Sequence, residues 1–273
     1  MAMNFFYDLV QYNYLGNAFW AALLSGITCA LVGTYIVARR LVFLAGGITH
    51  ASFGGLGLAF YFGLNPIAGA LSVALLSSLG IEWASHRKRI REDSAIGIVW
   101  SVGMALGALF MSLRPGYTSG DLTAYLFGSI ITVTDGDIMA LTVLTLCLLI
   151  GALLWLRPIM YVAFDRDFAQ SRHISTRVIS YLMAAIMAIT IVLSIRIMGI
   201  VLLLSLITMP VVIANMLVHS YQKIALIAPF IAVAGNISGL IFSYEWDVPP
   251  GAAIIFTLSI GLIAVKLLTL CRK

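Results

Sequence analysis

Residues 41–64 read LVFLAGGITHASFGGLGLAFYFGL, and this stretch decides the fold. It holds no Asp, Glu, Lys or Arg. An apolar run of ~20 residues at 1.5 Å rise crosses the ~30 Å hydrocarbon core of a bilayer, so a membrane-spanning helix is expected here. One ionisable side chain, His50, sits near its middle. Such groups are costly in hydrocarbon and face a bundle interior or a watery path, which marks His50 as a functional-site residue; a histidine hydrogen-bonded across helices is the structural alternative. Gly46, Gly47, Gly54, Gly55, Gly57 and Gly63 are expected to leave one side of the helix with little bulk, where a neighbouring backbone approaches or the helix bends.

The rest of the chain has the same character. Hydrophobic residues make up 62% and charged residues 10%, and the mean hydropathy is +1.05. One soluble core cannot hide that much apolar surface, so the chain is read as an all-α polytopic membrane protein. Cys29, Cys147 and Cys271 are odd in number and far apart, which excludes a disulfide framework and a C-x-x-C metal motif. The first 17 residues contain Asp8 but no Lys or Arg, unlike a cleaved signal peptide, so the first span is expected to be retained.

Spans are expected at residues 17–38, 41–64, from Pro66 to about 84, 94–113, 138–156, then two within 178–218, one at 224–242 and a last one ending near Lys266. Arg196 is the charge that divides the long apolar run 178–218. At mid-bilayer it would cost roughly 2.5–3.5 kcal/mol, so two spans are expected to meet near residues 194–199 and leave it at the surface. Residues 122–134 are apolar but too short to cross, and are expected to be re-entrant, interfacial or packed in the bundle. Residues 157–177 form the longest polar segment. The whole, residues 1–273, is read as a single transmembrane domain with this segment on the cytoplasmic side.

Threading these spans puts Arg39, Arg40, Arg87, Lys88, Arg89, Arg91, Arg157, Arg166, Arg172, Arg177, Lys223, Lys266, Arg272 and Lys273 on one side and leaves only Arg114 and Arg196 on the other. The positive-inside rule makes the first side cytoplasmic and the N-terminus external. Asp8, Asp121, Asp135, Asp137, Glu245 and Asp247 then lie outside, where an acidic excess draws cations; Asp121, Glu245 and Asp247 are the expected outer mouth.

Taken in order, Tyr35-Ile-Val-Ala-Arg39-Arg40, Gly47-Ile-Thr-His50-Ala-Ser, Gly120-Asp121-Leu-Thr-Ala-Tyr125-Leu-Phe-Gly128, Ile197-Met-Gly199 with Met209-Pro210, and Asp247-Val-Pro-Pro-Gly251 resemble the ABC-3 family over nearly the whole chain. These are membrane permeases of ABC importers for zinc, manganese or iron. The resemblance implies about eight or nine transmembrane helices in the bacterial cytoplasmic (inner) membrane and a homodimer embedded in lipid. It also implies a divalent cation as substrate, delivered by an extracytoplasmic metal-binding protein, and a separate cytoplasmic ABC ATPase. No permanently bound cofactor and no nucleic acid are implied.

Family members carry G-D-x-x-x-H on the second span, where Asp and His four residues apart share a face. Here Gly46 stands at the aspartate position, so only His50 is carried over, as a transient, path-lining ligand. Thr49, Ser52, Asn215 and Asn236 are further polar side chains within spans. In residues 164–177 the family's D-x-x-x-A-x-x-x-G coupling pattern is matched by Asp165 and Ala169, with His173 where glycine is common. No G-x-x-x-x-G-K-[ST] occurs, so the chain is read as no enzyme and ATP is expected to be used by the partner subunit. The alternatives are a permease for a metal chelate or vitamin, and a secondary transporter. The latter would carry coupling acids within its spans, and none is read deep inside one.

Overall fold

A computed structural model of the chain describes residues 2–86, 91–113, 128 and 133–271. Its helices are α1 (Ala2–Gln11), α2 (Asn13–Ala38), α3 (Val42–Tyr61), α4 (Pro66–His86), α5 (Glu92–Ser112), α6 (Asp135–Phe164), α7 (Arg166–Ser171), α8 (Thr176–Leu217), α9 (Tyr221–Trp246) and α10 (Pro250–Leu270). Among the described residues no strand occurs, and eight helices are long and apolar enough to cross a membrane. One of them counts twice. α8 has 42 residues, about 63 Å of helix and twice the hydrocarbon core, and it breaks at Gly199 with φ 73° and ψ 171°. The break lies within the predicted meeting point, so α8 supplies two crossing segments.

Two stretches differ from the sequence reading. Residues before the first span form α1, pinned by Phe5, which packs edge-on to Tyr244 at 5.4 Å and is fully buried. α6 does not stop at Leu156 but runs to Phe164 through Pro158. At 30 residues, about 45 Å, it outreaches the hydrocarbon core by some turns, so Arg157 need not mark the end of the helix. Arg87, Lys88, Arg89, Arg114, Asp121, residues 122–127 and 129–132, Arg272 and Lys273 lie outside the described residues.

The chain divides into two compact units, one of Met1–Val37, Leu126–Leu156 and Arg196–Lys273, the other of Ala38–Tyr125 and Arg157–Ile195. In the second unit α3 lies against both α4 and α5. Its glycines serve two faces rather than the single one expected. A methyl at Gly54 or Gly57 would lie 2.8 and 2.6 Å from the carbonyl oxygens of Gly103 and Gly107 on α5, and one at Gly55 would lie 2.2 Å from Gly69 O on α4. In lipid there is no hydrophobic drive between helices, so this close approach, and the dispersion it brings, holds the trio together. Gly63, at φ 67°, ends α3: Leu64 N donates to Ala59 O at 2.8 Å in a Schellman turn.

The first unit is tied in the same way. Gly33 of α2 meets Ile207 of α8, Gly26 meets the backbone of α9, and Gly235 and Gly239 of α9 meet Leu258 and Ile254 of α10. Asn236 adds a polar tie, its Nδ2 donating to Ala22 O at 2.6 Å. Lined by Leu23, Ile27, Leu149, Leu153, Pro229 and Phe230 among others, an almost wholly apolar groove of about 410 Å³ runs between α2, α6 and α9. It offers no set of donors to a cation.

Candidate functional site

His50 lies half-buried on α3 and turns to α5. Its ring stacks on Trp100, centroids 4.1 Å apart and planes at 14°, and its Nδ1 is 3.4 Å from Met104 Sδ. Trp100 and Met104 are four residues apart and so share one face of α5. The polar neighbours named from sequence do not join this group. Thr49 and Ser52 are fully buried and their hydroxyls donate to their own helix, to Ala45 O at 2.7 Å and Thr49 O at 2.6 Å. Asn236 is committed to Ala22 in the other unit, and Asn215 is exposed. Gly46 also faces Trp100, whose ring lies 3.4 Å from where a Cβ would be. Among the described residues no group of three or more His, Cys, Asp or Glu could hold a metal ion.

The segment after α6 is built around three residues singled out from sequence, each serving the helix itself. Asp165 is the N-cap of α7: its Oδ1 accepts from Asp167 N at 3.0 Å and Phe168 N at 2.9 Å. Ala169 is fully buried, so it faces the protein. His173 sits at φ 58°, the left-handed conformation that glycine adopts freely, and Ile174 N closes the Schellman turn on Ala169 O at 3.0 Å. The histidine therefore ends the helix as a glycine would. Exposed along the segment are Asp165, Asp167, Phe168, Gln170, Ser171, Arg172 and His173, with the Arg172 guanidinium 5.4 Å from the Phe168 ring centroid.

Sequence reasoning missed the anchor of this segment. Arg166, first residue of α7, reaches Glu82 Oε1 on α4 at 3.2 Å and Ser180 Oγ on α8 at 3.5 Å. Glu82 is 4% exposed and is the buried charged side chain among the described residues. It lies one turn from the end of α4, just before the basic run Arg87-Lys88-Arg89 of the sequence.

In the first unit, Gly128 and Gly199 meet. A Cβ on Gly128, itself at φ 65°, would lie 2.2 Å from Gly199 N and 2.3 Å from Met198 C. Beside the α8 break, Arg196 donates to Asp137 Oδ1 at 2.6 Å, while Asn17 Nδ2 donates to Asp135 Oδ1 at 3.0 Å and Val133 O at 3.2 Å. The starts of α2 and α6 are thus joined, and the start of α6 is joined to the middle of α8. Of the expected mouth residues, Glu245 and Asp247 are exposed at the α9–α10 turn, with Asp247 capping α9 at φ 51°. Asp121 lies outside the described residues.

The ABC 3 transport family model matches residues 11–269. A probable metal transport system membrane protein of Chlamydia pneumoniae is 33% identical over 261 residues, 93% of this chain and 87% of that protein. The manganese transport system membrane protein MntC of Halalkalibacterium halodurans is 31% identical over 258 residues, 94% of this chain and 88% of that protein. Among solved structures, PsaBC from Streptococcus pneumoniae in complex with Fab superposes with a TM-score of 0.86 at 24% identity, covering 97% of this chain and 95% of that one, a likeness of fold.

Proposed function

The chain belongs to the ABC 3 transport family, and from that premise we propose that it imports divalent transition-metal cations, zinc, manganese or iron, as the permease subunit of an ATP-driven transporter. It is an integral inner-membrane protein. The observation that carries the substrate class is its identity of 31–33% to metal transport membrane proteins over more than nine-tenths of its length. A single histidine on the most glycine-rich span, with a nitrogen edge free of helix hydrogen bonds, gives such a cation one ligand on its way.

In this reading two copies form the pathway. The N-terminus, Glu245 and Asp247 face outward with Asp121, where an extracytoplasmic metal-binding protein delivers the cation. α7 and its flanks face the cytoplasm and seat on an ABC ATPase subunit, which supplies the hydrolysis that this chain, without a P-loop, cannot. The test is uptake into proteoliposomes holding the chain, its ATPase and its binding protein, with zinc, manganese and ferrous iron offered singly. ATP-dependent accumulation of at least one of them, lost without the binding protein, is expected. Accumulation of none would refute the reading.

A further inference from the structure

The surroundings of His50 bear on which cation it takes. Its Nδ1 edge points at a thioether, Met104 Sδ at 3.4 Å, and among the described residues no carboxylate is bonded to it. Donors at about 2.0 Å for nitrogen and slightly beyond the about 2.3 Å of a thiolate for a thioether sulfur, 3.4 Å apart, subtend roughly 100° at a shared ion, near a tetrahedral angle. Trp100, stacked on the imidazole at 4.1 Å, fixes the ring plane and so the direction of Nδ1. It also covers the Cβ position of Gly46, so the face of α3 one turn before His50 carries tryptophan in place of an oxygen ligand.

We propose that His50 Nδ1 and Met104 Sδ form a nitrogen–sulfur subsite, floored by Trp100, that accepts a borderline divalent cation such as zinc and discriminates against manganese. Thioether and imidazole suit the former, whereas manganese favours carboxylate, carbonyl and water oxygen. The proposal rests on the reading of the chain as a metal permease and narrows its substrate.

The full-length chain in nanodiscs provides the test, with zinc and manganese binding measured by competition and the zinc ligands by X-ray absorption. The expected result is zinc held more than about tenfold tighter than manganese, with a sulfur scatterer in its first shell slightly beyond the about 2.3 Å of a thiolate. Met104→Leu should remove the sulfur signal and weaken zinc by roughly tenfold while leaving manganese unchanged. Gly46→Asp with Trp100→Leu, which places a carboxylate one turn before His50, should narrow the zinc–manganese ratio. A nitrogen- and oxygen-only zinc site in the unaltered chain, or equal affinity for the two metals, would overturn the proposal. If metal uptake is driven and is lost in His50→Ala, that outcome leaves the transport reading standing; sulfur ligation in a chain that drives no metal uptake would instead sink the transport reading alone.

Discussion

Arg166→Ala should destabilise the protein measurably, because it strips a donor from a carboxylate that solvent scarcely reaches. The pair is 3.2 Å apart, with the Glu82 side chain 6% exposed and that of Arg166 34% exposed. Breaking a fully buried pair costs about 3–5 kcal/mol, and a hydrogen bond to a charged group is worth about 1.5–3. Exposure of the arginine screens the interaction, which brings the expected cost to about 2 kcal/mol. At about 2–4 °C per kcal/mol that is a fall of about 4–8 °C in melting temperature. Glu82→Gln should cost less, since it removes the buried charge instead of leaving it short of a partner. In a double-mutant cycle with Arg166→Gln, thermal melting in detergent should give a coupling of about 1 kcal/mol or more. Additivity within about 0.5 kcal/mol would refute the claim that this pair anchors α7. In the reconstituted transporter, the same variants should hydrolyse ATP with less uptake per ATP.

Gly128→Ala should abolish a monodisperse gel-filtration peak, since its methyl would enter the backbone of Met198 and Gly199, whereas Gly97→Ala, facing open space inside α5, should behave as the parent or gain up to about 1 kcal/mol. His173→Gly should preserve melting temperature and transport, but His173→Val, β-branched at φ 58°, should lower both. Asp165→Ala should cost about 1 kcal/mol by loss of the N-cap, and Asp165→Ser should restore most of it, read by thermal melting. An impermeant thiol reagent applied to intact cells should label a cysteine placed at 245 and leave one at 172 unlabelled until the membrane is opened; the reverse would invert the orientation.

The spans were legible because length and hydropathy are properties of a stretch, and the α8 break because an arginine has nowhere in hydrocarbon to go. Partnerships were less visible. Trp100 and Met104 read as two more apolar residues of an apolar helix, and only the register of α5 against α3 brings them to His50. Five glycines in α3 revealed close packing but not that it is two-sided, since Gly54 and Gly55 are adjacent in sequence and face different helices. Glu82 was hidden by its place beside a basic run. Asp165 carried a legible signal that went unused: an Asp just before a short polar helix is a cap by ordinary helix chemistry, whatever else it contacts.

The way α7 is built also separates two kinds of information. Asp165, Ala169 and His173 spend their functional groups, their small size and their backbone conformation on making and ending the helix. Their first task is to shape the helix, whatever it meets. In the proposed docking of α7, discrimination between partners falls to the side chains exposed between them, Asp167, Phe168 and Arg172. On that proposal, exchanging those three side chains would redirect the pairing without rebuilding the helix that carries them.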